Sequence, residues 1–453
     1  MKKNQKKAAL MMTFILLCGN FAGCAPEELY KFMQQGRQAE ESAGYFTQRE
    51  EESGYSKEVS NEQKEGNGQS LDSPGQQEEE NGQIVEPPNL RNNETGQVTE
   101  SSNQMEEEGR KEGQETAQRQ EQVSTGKYAY EQLGKSEQTV YDEMLPAILD
   151  QEEKVKLSTI DTEIMQRAYT AICSDYGGLF WVDGYVYTRY TKGKELVSLE
   201  FSPKYTMTQE ERKDMQDQID GIVEIWLTGI SQEASDYEKA KYIYELLAMN
   251  TKYVKDAQDN QNIISVFIRQ QTVCQGYACA VQYLMGKLGI QSVIVSGKAM
   301  GEPHAWNLIC LDGDYYYMDA TWGNNGYENK EGVETPFINY NFMAMTTEEM
   351  LMGHQPNEEL ELPECSAILN NYYRKEGNYI EEWDPDGIGM ILAAAWEERR
   401  VITLRFSDES LKEMAFQYFI QEGHLADYCS EITQINYIED SQWKEISFCF
   451  NQS

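Results

Sequence analysis

Positive charge is scarce in this chain. Its 453 residues carry 39 Lys and Arg against 77 Asp and Glu, a net charge of −38. That balance argues against binding nucleic acid, because affinity for phosphate backbones comes from cations that release condensed counterions. It also repels anionic lipid surfaces, so any membrane attachment needs an anchor. Histidine is rarer still, with only His304, His354 and His424. The nine cysteines are too thinly spread for a disulfide scaffold. No CxxC or HxxxH pair is present, which speaks against a structural zinc site. No Asp/Gly loop of the EF-hand kind appears either, so calcium is unsupported, and no cofactor is expected.

The N-terminus is the one strongly basic and apolar stretch. Lys2, Lys3, Lys6 and Lys7 precede an apolar run over residues 8–17. The run is shorter than the roughly 20 residues that span a bilayer, so it reads as a secretory signal. It ends in Phe21-Ala22-Gly23-Cys24, which resembles the lipobox of bacterial lipoproteins, with Phe21 in place of the usual aliphatic residue. Cleavage after residue 23 would leave the Cys24 thiol to carry a lipid. The expectation is an extracytoplasmic protein held at a bacterial cell surface. Residues 24–125 follow as an acidic linker rich in Glu, Gln, Gly, Ser and Asn, with runs such as Glu78-Glu79-Glu80 and Glu106-Glu107-Glu108. Too few apolar residues are present for a core, so disorder is expected. A flexible chain of that length reaches about 50–60 Å.

Folded patterning starts near Tyr128. Tyr141, Leu145, Ile148 and Leu149 recur at helical spacing, as do Ile164, Met165, Ala168 and Ile172. Short strands are expected at 180–182, 185–187 and 196–199, the last two separated by Lys192-Gly193. Thr208 with Glu211, and Ser235 with Glu238, form capping boxes that start two helices. These elements make an N-terminal helical and β extension over 126–233, ahead of a core over 234–350. From about Asn370 the pattern alternates strand and helix, with helices near 386–397 and 407–421 and strands near 400–405 and 446–450. That gives a small C-terminal α/β unit over 365–453, with nothing in it that suggests a reaction.

Three motifs in the core carry chemistry: Val273-Cys274-Gln275-Gly276-Tyr277-Ala278, His304-Ala305-Trp306-Asn307 and Asp319-Ala320-Thr321-Trp322. After Cys274, apolar residues at Tyr277, Val281, Leu284, Met285 and Leu288 line one helix face, and Gly289 is placed to end it. Cys274 therefore sits at a helix N-terminus, where free N–H groups and the dipole favour a thiolate. Cys279, one turn on, is read as a core thiol, and Gly276 as room for a backbone or a substrate.

The other two residues are placed by a hairpin. Asp312-Gly313 has the signature of a two-residue turn. Leu311 then faces Asp314, Trp306 faces Asp319 and His304 faces Thr321. His304 and Asp319 become diagonal neighbours on one face, about 7–8 Å apart at the backbone and within side-chain reach. An imidazole can take a thiol proton and return it to a leaving amine, and a carboxylate behind it fixes the tautomer. His354, in Gly353-His354-Gln355-Pro356, reads as a loop residue with a surface or capping role. His424, after Gly423, reads the same way.

The order Cys274, His304, Asp319 in these motifs resembles the bacterial transglutaminase-like superfamily, over about a quarter of the chain. The resemblance implies an α+β fold with a papain-like core: a helix bearing the cysteine packed on an antiparallel sheet bearing the histidine and aspartate. It also implies an acyl-enzyme thioester formed at an amide. A polar or aromatic side chain upstream often assists the oxyanion in this superfamily, which makes Tyr253 a candidate beside the Cys274 backbone N–H. Three outcomes stay open. Water resolves the intermediate and the protein cleaves peptide or isopeptide bonds, the leading expectation; an amine resolves it and the protein crosslinks; or the fold is kept only for binding. A protein or peptide substrate and a monomeric state are expected.

Overall fold

The computed structural model describes residues 127–450, apart from 193–194, 329–333 and 434. The expected signal segment over residues 1–23, the expected lipidation site Cys24 and the expected linker over residues 24–125 lie outside the described residues. Among those described, no helix is long and apolar enough to cross a membrane.

After a short helix over Tyr128–Gln132, the described residues form two longer helices, α1 (Lys135–Leu149) and α2 (Thr162–Asp175), followed by a long hairpin of β1 (Val182–Lys192) and β2 (Glu195–Tyr205). Asp161 caps α2 by accepting the Glu163 N–H at 2.8 Å. The strands expected at 180–182 and 185–187 are not separate. Val182 and residues 185–187 belong to one eleven-residue strand, and its bulge between Val182 and Tyr185 explains why the alternation looked broken. Next come α3 (Gln209–Leu227) and α4 (Asp236–Asn250), each started by the capping box read in the sequence. Then comes α5 (Cys274–Lys287). It ends where Gly289 takes a φ of +78°, a left-handed conformation that glycine adopts without steric cost.

The central sheet is antiparallel throughout. It contains β3 (Ser292–Ala299), β4 (Glu302–Leu311), β5 (Asp314–Met318) and β6 (His354–Pro356), in the spatial order β6-β3-β4-β5. Its strands read as nearly continuous apolar runs because both faces are covered. Ile294, Ala305, Ile309, Tyr316 and Met318 point to the face packed by Tyr277, Val281, Leu284 and Met285 of α5. Their neighbours Val293, Val295, Trp306, Leu308 and Tyr317 point the other way, against Tyr141, Met144, Ile148, Met165 and Ile172 of the N-terminal helices. The extension is thus the second wall of the core. Gln282 on α5 ties the two together, accepting the Gly177 N–H at 2.8 Å and donating to the Asp175 carbonyl at 2.6 Å.

The C-terminal residues build a second sheet around their own apolar cluster. It comprises β7 (Tyr379–Ile380), β8 (Val401–Phe406), β9 (Asn436–Asp440) and β10 (Glu445–Cys449), ordered β7-β8-β10-β9. Helices α6 (Pro385–Glu397) and α7 (Glu409–Phe416) cover it with Ile388, Leu392, Trp396, Leu411 and Ala415. The seven cysteines among the described residues are all free thiols.

Candidate active site

Cys274 is the first residue of α5. The chain reaches it through Gln271–Thr272, which pairs in parallel with Lys252–Tyr253. Val273 caps the helix in extended conformation without a side-chain bond to the first turn. The leading N–H groups of α5 therefore lack intrahelical partners at the end of the helix where Cys274 stands. Thr272 holds this entry. Its hydroxyl donates to the Asn260 carbonyl at 2.9 Å and accepts from Ser265 Oγ at 2.6 Å. The glycine at 276 makes room for that same hydroxyl: a Cβ there would lie 1.9 Å from Thr272 Oγ1. The space expected for backbone or substrate is filled mainly by a side chain of the protein itself. Cys279 is buried, and burial pushes its thiol up to about 12.

The hairpin register matches the sequence-based expectation along its ladder. Leu311 faces Asp314 and Asn307 faces Met318, with Asp312 and Gly313 both at positive φ as a type I′ turn requires. It departs at the end. After Met318 the chain leaves the sheet and turns through a short 3-10 helix, Ala320–Gly323, so neither Trp306 and Asp319 nor His304 and Thr321 pair. Asp319 instead donates its N–H to the Phe342 carbonyl at 2.8 Å. His304 and Asp319 still meet, with Nε2 and Oδ2 2.7 Å apart. Since Nε2 is used by the carboxylate, Nδ1 is the ring atom left for Cys274, whose thiol is near enough to help raise the proton affinity of this histidine. Asn307, the last letter of its motif, donates to the Ala278 carbonyl at 3.0 Å and locks β4 against α5.

The electrostatics follow from burial and pairing. Burial alone would lower the proton affinity of His304. The Asp319 carboxylate outweighs it, with a smaller contribution from Cys274, and brings the imidazole up to about 10. Asp319 is 0 % exposed, and burial would raise it. The charge and hydrogen bond of His304, then those of His354, hold it well below the usual carboxylate range instead. Its Oδ1 accepts the Thr321 N–H at 3.0 Å.

His354 is where the sequence reading fails. It is 1 % exposed and lies on β6, paired with Ala299 of β3. Its Nε2 sits 3.0 Å from the same Asp319 Oδ2. The Gly-His-Gln-Pro stretch looked like a loop because of its ends, yet β6 is an edge strand, where a terminal proline is tolerated. The scarcity of histidine was the one available hint. His424 is the surface residue expected, bonded to Asp427 at 2.8 Å and stacked on Tyr418.

Tryptophans wall the imidazoles. The Trp322 ring lies 5.4 Å from His304 and 4.6 Å from His354, and Trp306 lies 6.0 and 4.9 Å from the same two rings. His304, Asp319 and His354 also offer ligand atoms within 4.8 Å of one another, a set able to hold a divalent cation. The two histidine–carboxylate hydrogen bonds use those same atoms, so such a cation and the hydrogen-bonded arrangement exclude each other. Tyr253 lies across the parallel bridge from Thr272 and is 47 % exposed. Partial burial raises its phenol, and Cys274 and Asp319 add to that rise, which places it within electrostatic reach of the sulfur.

The family model of the transglutaminase-like superfamily matches residues 226–320. Kyphoscoliosis peptidase of Mus musculus is 28% identical over 116 residues, which cover 22% of this chain and 18% of that protein. The Homo sapiens protein of the same name is 25% identical over 177 residues, covering 34% and 27%. The match thus spans under a third of the length of either relative. A crystal structure of a TGase aligns with a TM-score of 0.23 and 15% identity, over 40% of this chain and 54% of that one. Through residues 226–320, with the cysteine leading a helix and the histidine on an antiparallel sheet beside the aspartate, the chain carries a domain of the transglutaminase-like superfamily.

Proposed function

We propose that this protein is a thiol acyl-transfer enzyme acting on peptide or isopeptide amides, with Cys274 as nucleophile, His304 as acid and base, and Asp319 as the group that orients His304. One observation carries the reading. A cysteine at a helix N-terminus lies within electrostatic reach of an imidazole whose Nε2 is 2.7 Å from a buried carboxylate.

The sulfur attacks the amide carbonyl and the developing oxyanion meets the leading N–H groups of α5. Collapse breaks the C–N bond, and His304 delivers its proton to the departing amine. A thioester remains on Cys274. Water then attacks it, losing a proton to His304, and the acid and the free thiol are released. Hydrolysis is favoured over crosslinking because Cys274 and the adjoining Tyr253 are partly open to solvent. The lipobox-like Cys24 and the acidic linker support a membrane-tethered enzyme outside the cytoplasm, meeting surface or exogenous peptides.

A labelled iodoacetamide tests the core of this. Cys274 should react much faster than the other thiols, and His304→Ala should remove the excess; uniform slow labelling would refute it. Peptide substrates incubated with and without a primary amine donor then separate cleavage from crosslinking. Metabolic labelling with palmitate, lost on Cys24→Ala, tests the tether.

A further inference from the structure

The catalytic carboxylate has a second imidazole on it that neither the motif order nor the proposed mechanism uses. His304 Nε2 and His354 Nε2 approach the same oxygen, Asp319 Oδ2, at 2.7 and 3.0 Å. The other oxygen accepts the Thr321 N–H. A carboxylate held ionised only accepts, so both Nε2 atoms carry protons and donate. His354 Nδ1 is buried and has no partner in the structure. Leaving a buried ring nitrogen unpaired is unfavourable, by about 1–3 kcal/mol. The ring therefore sits where it does for the sake of its Nε2 contact and its packing. That packing is aromatic: Trp306, Trp322 and Phe342 surround the ring, and its titratable neighbours are Asp319 and, 5.5 Å away ring to ring, His304.

We propose that His354 is a positioning residue of the active site, fixing the Asp319 carboxylate so that Oδ2 stays in line with His304 Nε2. The proposal rests on the thiol reading above for its catalytic meaning, though not for its geometry. Asp319 lies just past the end of β5, on a chain that has left the sheet, so the ladder does not hold its side chain. Three donors hold it instead. Thr321 comes from the same turn and His304 is the partner to be aligned. His354 is the independent one, delivered by β6 from 35 residues away. With it, the carboxylate plane is pinned from a strand on the far side of β3. Without it, Oδ2 can turn about the side-chain bonds, and the imidazole that faces Cys274 loses its fixed tautomer and direction.

The test uses proton NMR and thiol alkylation on the wild type, His354→Phe and His354→Gln. The wild type should show two low-field imidazole N–H resonances, one for each histidine on Asp319. A single resonance, lost on His304→Ala, would overturn the proposal with no further variant needed. Phenylalanine fills the aromatic site but cannot donate; glutamine can. His354→Phe should shift or broaden the His304 resonance and slow Cys274 alkylation roughly tenfold, the scale of one hydrogen bond to a charged group. His354→Gln should keep the His304 resonance and stay within about threefold. A folded His354→Phe protein with an unchanged His304 resonance would also overturn the proposal. If the wild-type resonances are as expected but Cys274 is no more reactive than the other thiols, the enzymatic reading fails while the positioning role stands.

Discussion

Two buried carboxylates in this molecule each hold a cation, and burial treats them differently. Asp319 is kept well below the ordinary carboxylate range. Glu445, on β10, is raised above it, because the Arg405 guanidinium and the Asn341 amide do not offset its desolvation. The contacts account for the difference. Asp319 takes two imidazole N–H groups and a backbone N–H on two oxygens. Glu445 takes Arg405 Nε at 2.6 Å and Asn341 Nδ2 at 3.0 Å, and Arg405 is shared with Glu349 at 2.7 Å. The first site spends its donors on one small group beside a partly open cysteine. The second spreads one cation over two acids and two rings, Tyr373 and Trp443, and is sealed. The same physical pairing is set beside a cysteine in one place and closed within the fold in the other.

The largest expected effect that sharpens this contrast is Asp319→Asn. Turnover should fall about ten-thousand-fold, the loss typical when the third member of such a triad is neutralised. The His304 titration followed by NMR should also drop from about 10 toward or below its ordinary 6.5. Arg405→Met should do the reverse. It leaves buried Glu445 and its neighbour uncompensated, at a cost of about 3–5 kcal/mol in denaturant unfolding, with the His304 midpoint unmoved. A shift of that midpoint would show the two clusters to be one.

A smaller effect concerns alkaline pH. His304 binds its proton more tightly folded than unfolded, so the stability it supplies is complete below about pH 6.5 and is lost as pH climbs through about 10. Thermal melts across that window should fall less steeply in His304→Phe than in the wild type. Smallest is Tyr253→Phe. If the phenol only assists the N–H groups of α5, kcat should fall by no more than about tenfold, below the range for removing a principal oxyanion donor.

What could be read in advance was local. The capping boxes at Thr208 and Ser235, the Asp312-Gly313 turn and the helix led by Cys274 each write their geometry into a few adjacent residues. Counting across the hairpin set Trp306 opposite Asp319; that pair does not form, yet His304 and Asp319 do meet. Counting could not show where the ladder stops, because the Asp319 N–H is claimed by Phe342, a residue outside the hairpin. His354 was unreadable for the same reason. Its strand is three residues long, ends in proline and takes its meaning from pairing with β3. The bulge in β1 hid one strand as two.

The carbonyl of Phe342 has a consequence for how this molecule divides. It fixes the backbone of Asp319, while the Phe342 ring leans on Trp443, 5.7 Å away, and its neighbour Asn341 grips Glu445. His354, Phe342 and Trp443 all lie downstream of residue 320, where the family match stops. A protein cut at that border would keep Cys274, His304 and Asp319 and lose the scaffolding behind its acid. The set of residues that holds Asp319 in place is therefore larger than the piece that kinship recognises.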